Sequence, residues 1–222
     1  MPLIGMCGAH RTGKTTLCRE LEENYGVHFI QTNVSTVLAD CGVTPGSLIN
    51  LPFLDFCHVQ TIVLEHLGTI AADLASDKTR CYVVDRTVID ALAYFRQYFN
   101  SKFFYELDAE RNHFERVALQ YVETALEVSS IYDHLVLVQP GIQLVQESGK
   151  AVNDLFYINQ INTSILGDLT YLTQAMPYRT DWITIVPPSM INLSERSSFL
   201  YKMVINKLTN FGDLHVRPDQ YN

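Results

Sequence analysis

Eight residues near the amino terminus, Gly8-Ala9-His10-Arg11-Thr12-Gly13-Lys14-Thr15, have the spacing G-x-x-x-x-G-K-[ST]. That spacing suits them to gripping phosphate groups. Gly8 and Gly13 let the backbone turn sharply and approach phosphate oxygens with no Cβ in the way. Loop amides and the start of the following helix then direct partial positive charge at the anion. Lys14 is placed to reach β- and γ-phosphates, and the Thr15 hydroxyl to hold Mg²⁺. Ala9, His10, Thr12 and Thr16 complete the candidate nucleotide-binding set. Arg11 is an extra cation, for which a phosphate contact and an exposed position are both open.

A second stretch carries complementary chemistry. Cys81-Tyr82-Val83-Val84-Asp85-Arg86-Thr87 is an apolar run ending in an acid and a base. An acid at the end of a strand, downstream of a phosphate loop, is the Walker B arrangement. Asp85 would hold the magnesium shell or accept the proton of an attacking hydroxyl. The planar fork of Arg86 suits an anionic acceptor or the phosphoryl group in transit. The catalytic candidates are therefore Lys14, Asp85 and Arg86, and the metal candidates Thr15 and Asp85.

These residues need particular elements around them. Leu3 to Cys7 reads as a buried strand feeding the loop, and Thr15 to Asn24 as the helix leaving it, with Leu17 and Leu21 on one face. Val27 to Ile30 is a short second strand. Gln31-Thr32-Asn33 at its carboxyl end is a candidate pocket wall, with Thr32 or Asn33 donating to a sugar hydroxyl or capping the helix that runs to Asp40. Pro52 to Ser76 is a long helix by the spacing of Phe53, Phe56, Val59, Val63 and Leu67. Gln60 on it could read a base edge. His58 and His66 lack metal-ligand spacing and read as ordinary side chains.

Val88 to Phe99 reads as a helix rich in aromatics (Tyr94, Phe95, Tyr98, Phe99), for which core packing is the default. Residues 101–128 suit one or two outer helices. Leu135 to Val138 is a fourth strand, stopped by Pro140-Gly141. The segment 142–154, with Lys150 as its one cation, is either a lid over the phosphate donor or a surface loop. Leu155 to Met176 is a helix with Leu155, Ile158, Ile161, Ile165, Leu169 and Leu172 facing inward. Trp182 to Val186 is the fifth strand. Asn192 and Glu195 resemble a cap pair opening a last helix to about Leu208. Arg179 and Arg196 are cations near the expected active edge, for each of which an adenine contact, a phosphate contact or neither is open, and 212–222 reads as a loose tail.

The 222 residues, 47% hydrophobic and 18% charged, suit one α/β domain with a substantial core. The net charge of −8 weighs against a long nucleic-acid groove, which normally shows as a basic face. Cys7, Cys18, Cys41, Cys57 and Cys81 form no C-x-x-C pair and read as buried thiols of a reducing, cytoplasmic setting. The amino-terminal apolar run is too short for a signal peptide, and no stretch is long enough to span a membrane.

With the phosphate loop, the Asp85-Arg86-Thr87 stretch and the strand-to-helix order in place, the chain resembles the small P-loop nucleoside and nucleotide kinases. These include thymidylate-kinase-like, deoxynucleoside-kinase-like and nicotinamide-riboside-kinase-type domains, and P-loop kinases of bacteriophages. The resemblance implies a three-layer α/β sandwich with a mainly parallel five-stranded sheet, and one domain over 1–222. It implies ATP and Mg²⁺ bound by Lys14 and Thr15, with Asp85 serving magnesium or proton transfer. It further implies a nucleoside or nucleotide acceptor held by Arg86, with Gln60, Asn33 and Lys150 as further contacts. It leaves room for a homodimer, for 5-hydroxymethyluracil in DNA as the acceptor, and for a regulatory ATPase as a rival. The chain departs from the pattern twice: Gln31-Thr32-Asn33 stands where related kinases often have an acid, and Lys150 where many have an arginine-rich lid.

Overall fold

The computed structural model describes residues 2–44, 46–106, 111–143, 154–179 and 181–210. Five strands, β1 (Leu3–Cys7), β2 (His28–Ile30), β3 (Tyr82–Val84), β4 (His134–Val138) and β5 (Ile183–Val186), form one sheet. Their order is β2-β3-β1-β4-β5, and every pairing is parallel. Eight α-helices among the described residues complete the layers. They are α1 (Lys14–Tyr25), α2 (Val34–Asp40), α3 (Phe53–Ser76), α4 (Val88–Glu106), α5 (Arg111–Ser129), α6 (Leu155–Ala175), α7 (Leu193–Leu200) and α8 (Asn206–Asn210). This is the α/β, P-loop kinase-like architecture that the sequence implies.

A sheet with helices on both faces must be apolar on both, so its central strands read as unbroken apolar runs. β1 and β4 are buried along their whole length. Alternate residues serve opposite layers. Leu3, Cys7, Tyr82, Val84, Leu135 and Leu137 pack in one core with α3, α4, α5 and α6. Ile4, Met6, Val83, Val136 and Val138 pack in the other with α1, α7 and the end of the chain's helical segment. Gly5 is required by the first core, because a Cβ there would stand 2.6 Å from Thr87 Cγ2 and 2.9 Å from Tyr132 Cδ1.

The strand order positions the site. β1 lies between β3 and β4. The chain leaves β1 for α1 on one face and leaves β3 for α4 on the other, so the two connections diverge. That divergence opens a crevice outside the carboxyl ends of β1 and β3, the place where open α/β sheets bind ligands.

Four expectations change. The helix expected over Val88–Phe99 runs on to Glu106, since no glycine or proline stops it and it packs against both α5 and α6. Leu155, expected to face inward, is 61% exposed, because it lies in the first turn of α6, beside the loop after β4 rather than over the sheet. The last helix does not run evenly to Leu208. A π turn over Tyr201–Ile205 divides α7 from α8 and lets Leu200, Val204 and Ile205 all face the core. Arg179 is not at the active edge: it donates to the carbonyls of Ser130 (2.9 Å) and Tyr132 (2.6 Å) and stacks on Trp182. These lie just before β4 and β5, which in a parallel sheet is the opposite edge. The expected cap is present, with the Glu195 amide donating to Asn192 Oδ1 at 3.1 Å.

His134 on β4 yields a stability prediction. It is buried and Nε2 lies 2.9 Å from Thr184 Oγ1. Burial first, then Lys207 and Arg179, against Asp181, lower its pKa to about 4. Unfolded, it would titrate near the ordinary value of about 6.5. Between those values the unfolded chain binds a proton that the folded chain refuses. The contribution is therefore complete above pH 6.5 and lost as pH falls toward 4, at up to about 1.4 kcal/mol per pH unit. Urea unfolding of wild type and His134→Gln at pH 7 and 4.5 is expected to show a smaller acid loss in the variant. Equal losses would contradict this account.

Candidate active site

The loop after β1 folds as its residues require. Gly8 has φ +145° and a Cβ there would meet the Val138 carbonyl oxygen at 2.5 Å, while Gly13 has φ +87°. Thr12 Oγ1 donates to the Ala9 carbonyl at 3.1 Å across the turn. Behind the loop, the Arg196 guanidinium, 2% exposed, donates to the Thr12 carbonyl at 3.0 Å. Arg196 thus supports the loop from α7, at the active edge. Arg11 adopts φ 64° and lines a cavity of about 210 Å³ with Ile142 and Leu155.

Lys14 is buried. Its Nζ donates to the carbonyls of Gly8 (2.5 Å) and Ala9 (2.7 Å) and stands 3.7 Å from Asp90 Oδ1. Burial lowers its pKa to about 8; Asp90 works against that, and Arg86 adds to it. Asp90 is a hub that sequence reasoning missed. Its Oδ1 also accepts from the Gly8 amide at 3.1 Å. Its Oδ2 accepts from the Thr87 amide (2.9 Å) and hydroxyl (3.0 Å). Thr87-x-x-Asp90 is a helix-capping box, a signal visible in the sequence. The fold gives its second oxygen to the phosphate loop.

Asp85, at the carboxyl end of β3, is also buried. Oδ2 accepts from Thr15 Oγ1 at 2.7 Å. Oδ1 accepts from the Thr32 amide and hydroxyl, each at 3.1 Å. The Thr32 carbonyl in turn lies 2.7 Å from His66 Nε2. Thr32 therefore does not cap α2: from the cavity wall its amide and hydroxyl brace the acid. Asn33 does not cap α2 with its side chain either; its φ is 51°, and it stands exposed on the wall of the main cavity. A hydroxyl and a carboxylate in contact are hard oxygen donors of the kind Mg²⁺ takes, with its remaining positions left to water and phosphate. Thr15 and Asp85 fit that ion. Among the described residues no group of three or more His, Cys, Asp or Glu could cage a metal alone.

Arg86 lies over Tyr94, with Cζ 5.9 Å from the ring centroid. Burial opposes its charge, but Tyr94, Asp90 and Asp85 outweigh that and raise its pKa. The same Tyr94 hydroxyl accepts from the His10 amide at 3.0 Å and lies 3.1 Å from His10 Nδ1. Tyr157 on α6 also packs near the His10 ring, with centroids 5.7 Å apart. The aromatic run on α4 thus divides by helix face: Phe95 is core, whereas Tyr94 and Tyr98 reach the cavity.

That cavity measures about 850 Å³ and opens beside Thr15, Asp85 and Arg86. Gln60 lies on its wall, 4% exposed. Lys150 and nearly all of the expected lid, 144–153, lie outside the described residues, as does the tail from 211. His58 is exposed, and the cysteines are free thiols, four of them buried and Cys41, at the end of α2, only half-buried, with Cys57 and Cys81 pushed up to about 12 by burial.

A phosphate loop at the carboxyl edge of a parallel sheet, with an acid on the neighbouring strand contacting its threonine, defines a P-loop nucleotide-binding domain. A family model described as an AAA domain matches residues 3–149, and the chain belongs to that family. No curated protein matches it in sequence. Solved structures share the fold. Thymidylate kinase from Candida albicans superposes with a TM-score of 0.54 at 13% identity, over 93% of this chain and 92% of that one. Deoxyadenosine kinase from M. mycoides gives 0.58 at 11%, over 95% and 100%. The NadR protein, in complex with NAD and AMP-PNP, gives 0.61 at 13%, over 96% of this chain but only 51% of that one. Those likenesses speak for the P-loop kinase-like fold. They lend no support to DNA as acceptor, a bacteriophage source or a homodimer. Among the described residues no helix is long and apolar enough to cross a membrane.

Proposed function

We propose that the chain is an ATP- and Mg²⁺-dependent kinase that transfers the γ-phosphoryl group to a nucleoside or nucleoside monophosphate. The observation that carries this reading is the 850 Å³ cavity directly beside Asp85 and Arg86. A regulatory switch needs only a nucleotide site; a kinase needs room for a second substrate next to the phosphate loop.

The phosphate loop and Lys14 hold the donor phosphates, and Thr15 with Asp85 holds magnesium. Bound there, the ion supplies neutralisation of phosphate charge. The acceptor hydroxyl oxygen bonds to the γ-phosphorus. The bond from that phosphorus to the β–γ bridging oxygen breaks, its electron pair leaving on ADP, and the hydroxyl proton is released to water. Arg86, fixed by Tyr94, places its fork at the phosphoryl group in transit, where charge is spread over the equatorial oxygens. Gln60 and Asn33 line the acceptor's space, and residues 142–154, with Lys150, are proposed as a lid over the donor.

ADP release from ATP-Mg²⁺ across a panel of nucleosides, monophosphates, nicotinamide riboside and DNA with and without 5-hydroxymethyluracil tests the reading. Stimulation by a free nucleoside or nucleotide is expected. Slow hydrolysis that no acceptor stimulates would move the assignment to a regulatory ATPase.

A further inference from the structure

The cavity wall has an uneven charge. Asp85, Asp90 and Asp154 line it, and among the described residues Arg86 is its one arginine or lysine. The other arginines with described contacts are committed elsewhere. Arg96 pairs with Asp168 at 3.0 Å, Arg179 is at the opposite edge, Arg196 holds the Thr12 carbonyl and Arg11 lines the smaller cavity. Arg86 itself faces Tyr94, Asp90 and Asp85. A second phosphate in this cavity would bring a charge of about −1.5 to −2 at pH 7 to a wall of three carboxylates, of which Asp90 alone faces the Lys14 ammonium, at 3.7 Å. Among the described residues of this wall, Arg86 would then have to serve both that phosphate and the one being transferred. Burying charge without a partner is costly.

The rest of the wall suits a flat, uncharged ring. Leu38, Val63, Leu67 and Tyr98 supply apolar and aromatic surface. The Gln60 amide is 4% exposed on this wall and makes no hydrogen bond among the described residues. A buried amide offers both a donor and an acceptor, the pattern that the edge of a heteroaromatic base complements.

We propose that the acceptor enters without a phosphate: a nucleoside, with a heteroaromatic base against Gln60 and a free sugar hydroxyl toward Asp85 and Arg86. This rests on the kinase reading above and narrows it. The transfer is the step already written, with the nucleoside hydroxyl as nucleophile and a nucleoside monophosphate and ADP as products.

The test compares kcat/KM for each nucleoside and its 5′-monophosphate, with ATP-Mg²⁺ and the full chain. At least one nucleoside is expected to exceed its monophosphate by about ten-fold or more. In Gln60→Leu, its KM is expected to rise about ten-fold or more with kcat changed less than about three-fold, a split that general loss of fold would not give. A monophosphate used better than every nucleoside overturns the inference and leaves the kinase reading intact. An unchanged KM in Gln60→Leu overturns the placement of the base. ATP hydrolysis that neither class stimulates sinks the kinase reading itself.

Discussion

Lys14→Ala is expected to lower phosphoryl transfer by about a thousand-fold. The ammonium is the cation built into the phosphate loop, and the loss of a preorganised charge where charge develops in the transition state costs about this much. The fold is expected to survive. Asp90, which faces Lys14 at 3.7 Å, keeps the Gly8 amide and both Thr87 donors, so no carboxylate is orphaned. Circular dichroism of the variant would confirm that the comparison is between folded proteins. Steady-state turnover with the best acceptor is the measurement, and wild-type turnover in the variant would sink the site assignment.

Asp85→Asn is expected to lower kcat by about a hundred-fold while ATP affinity without metal stays within a few-fold. The amide keeps one acceptor oxygen for Thr32 and can donate toward Thr15, so the local structure should hold. What it loses is a negative charge where Thr15 and Asp85 meet at 2.7 Å, and with it affinity for a hard cation. Titrating Mg²⁺ separates the causes. A raised Mg²⁺ requirement with partial recovery at high Mg²⁺ fits the metal role. A loss that Mg²⁺ does not relieve fits proton transfer, and unchanged turnover removes Asp85 from the mechanism. The bracing of Asp85 by three donors from Thr15 and Thr32 favours the metal role, since it fixes the carboxylate against the Thr15 hydroxyl, the second hard oxygen donor.

The phosphate loop was legible because its parts are contiguous. Glycines, amides and lysine act within one turn, so spacing alone carries the geometry. The strand ends were legible for a related reason: apolar runs stopped by Asp85 and by Pro140-Gly141 mark where buried strands emerge. The arginines show where such reading stops. Arg179 precedes β5 and Arg196 follows it, so a parallel sheet places them at opposite edges. Nothing in the residue type reveals that before the strand bounds and direction are known. Thr32 shows the same limit. Its position after β2 marked a pocket wall, but only the pairing of β2 with β3 brought it against Asp85.

The sequence by itself determined the phosphate loop, with its lysine and threonine, and an acid-base pair at a strand end, because those features depend on local backbone and residue type. Tertiary structure alone decided what surrounds them. It turned a helix-capping carboxylate, Asp90, toward the loop and Lys14, and made the Tyr94 hydroxyl a common partner of His10 and Arg86. It also assembled the main cavity beside Asp85 and Arg86 with walls from α2, α3, α4 and α6. These depend on which face of a helix meets which strand end; the contacts of Asp90 with Gly8 and of Tyr94 with His10 join residues 82 and 84 positions apart.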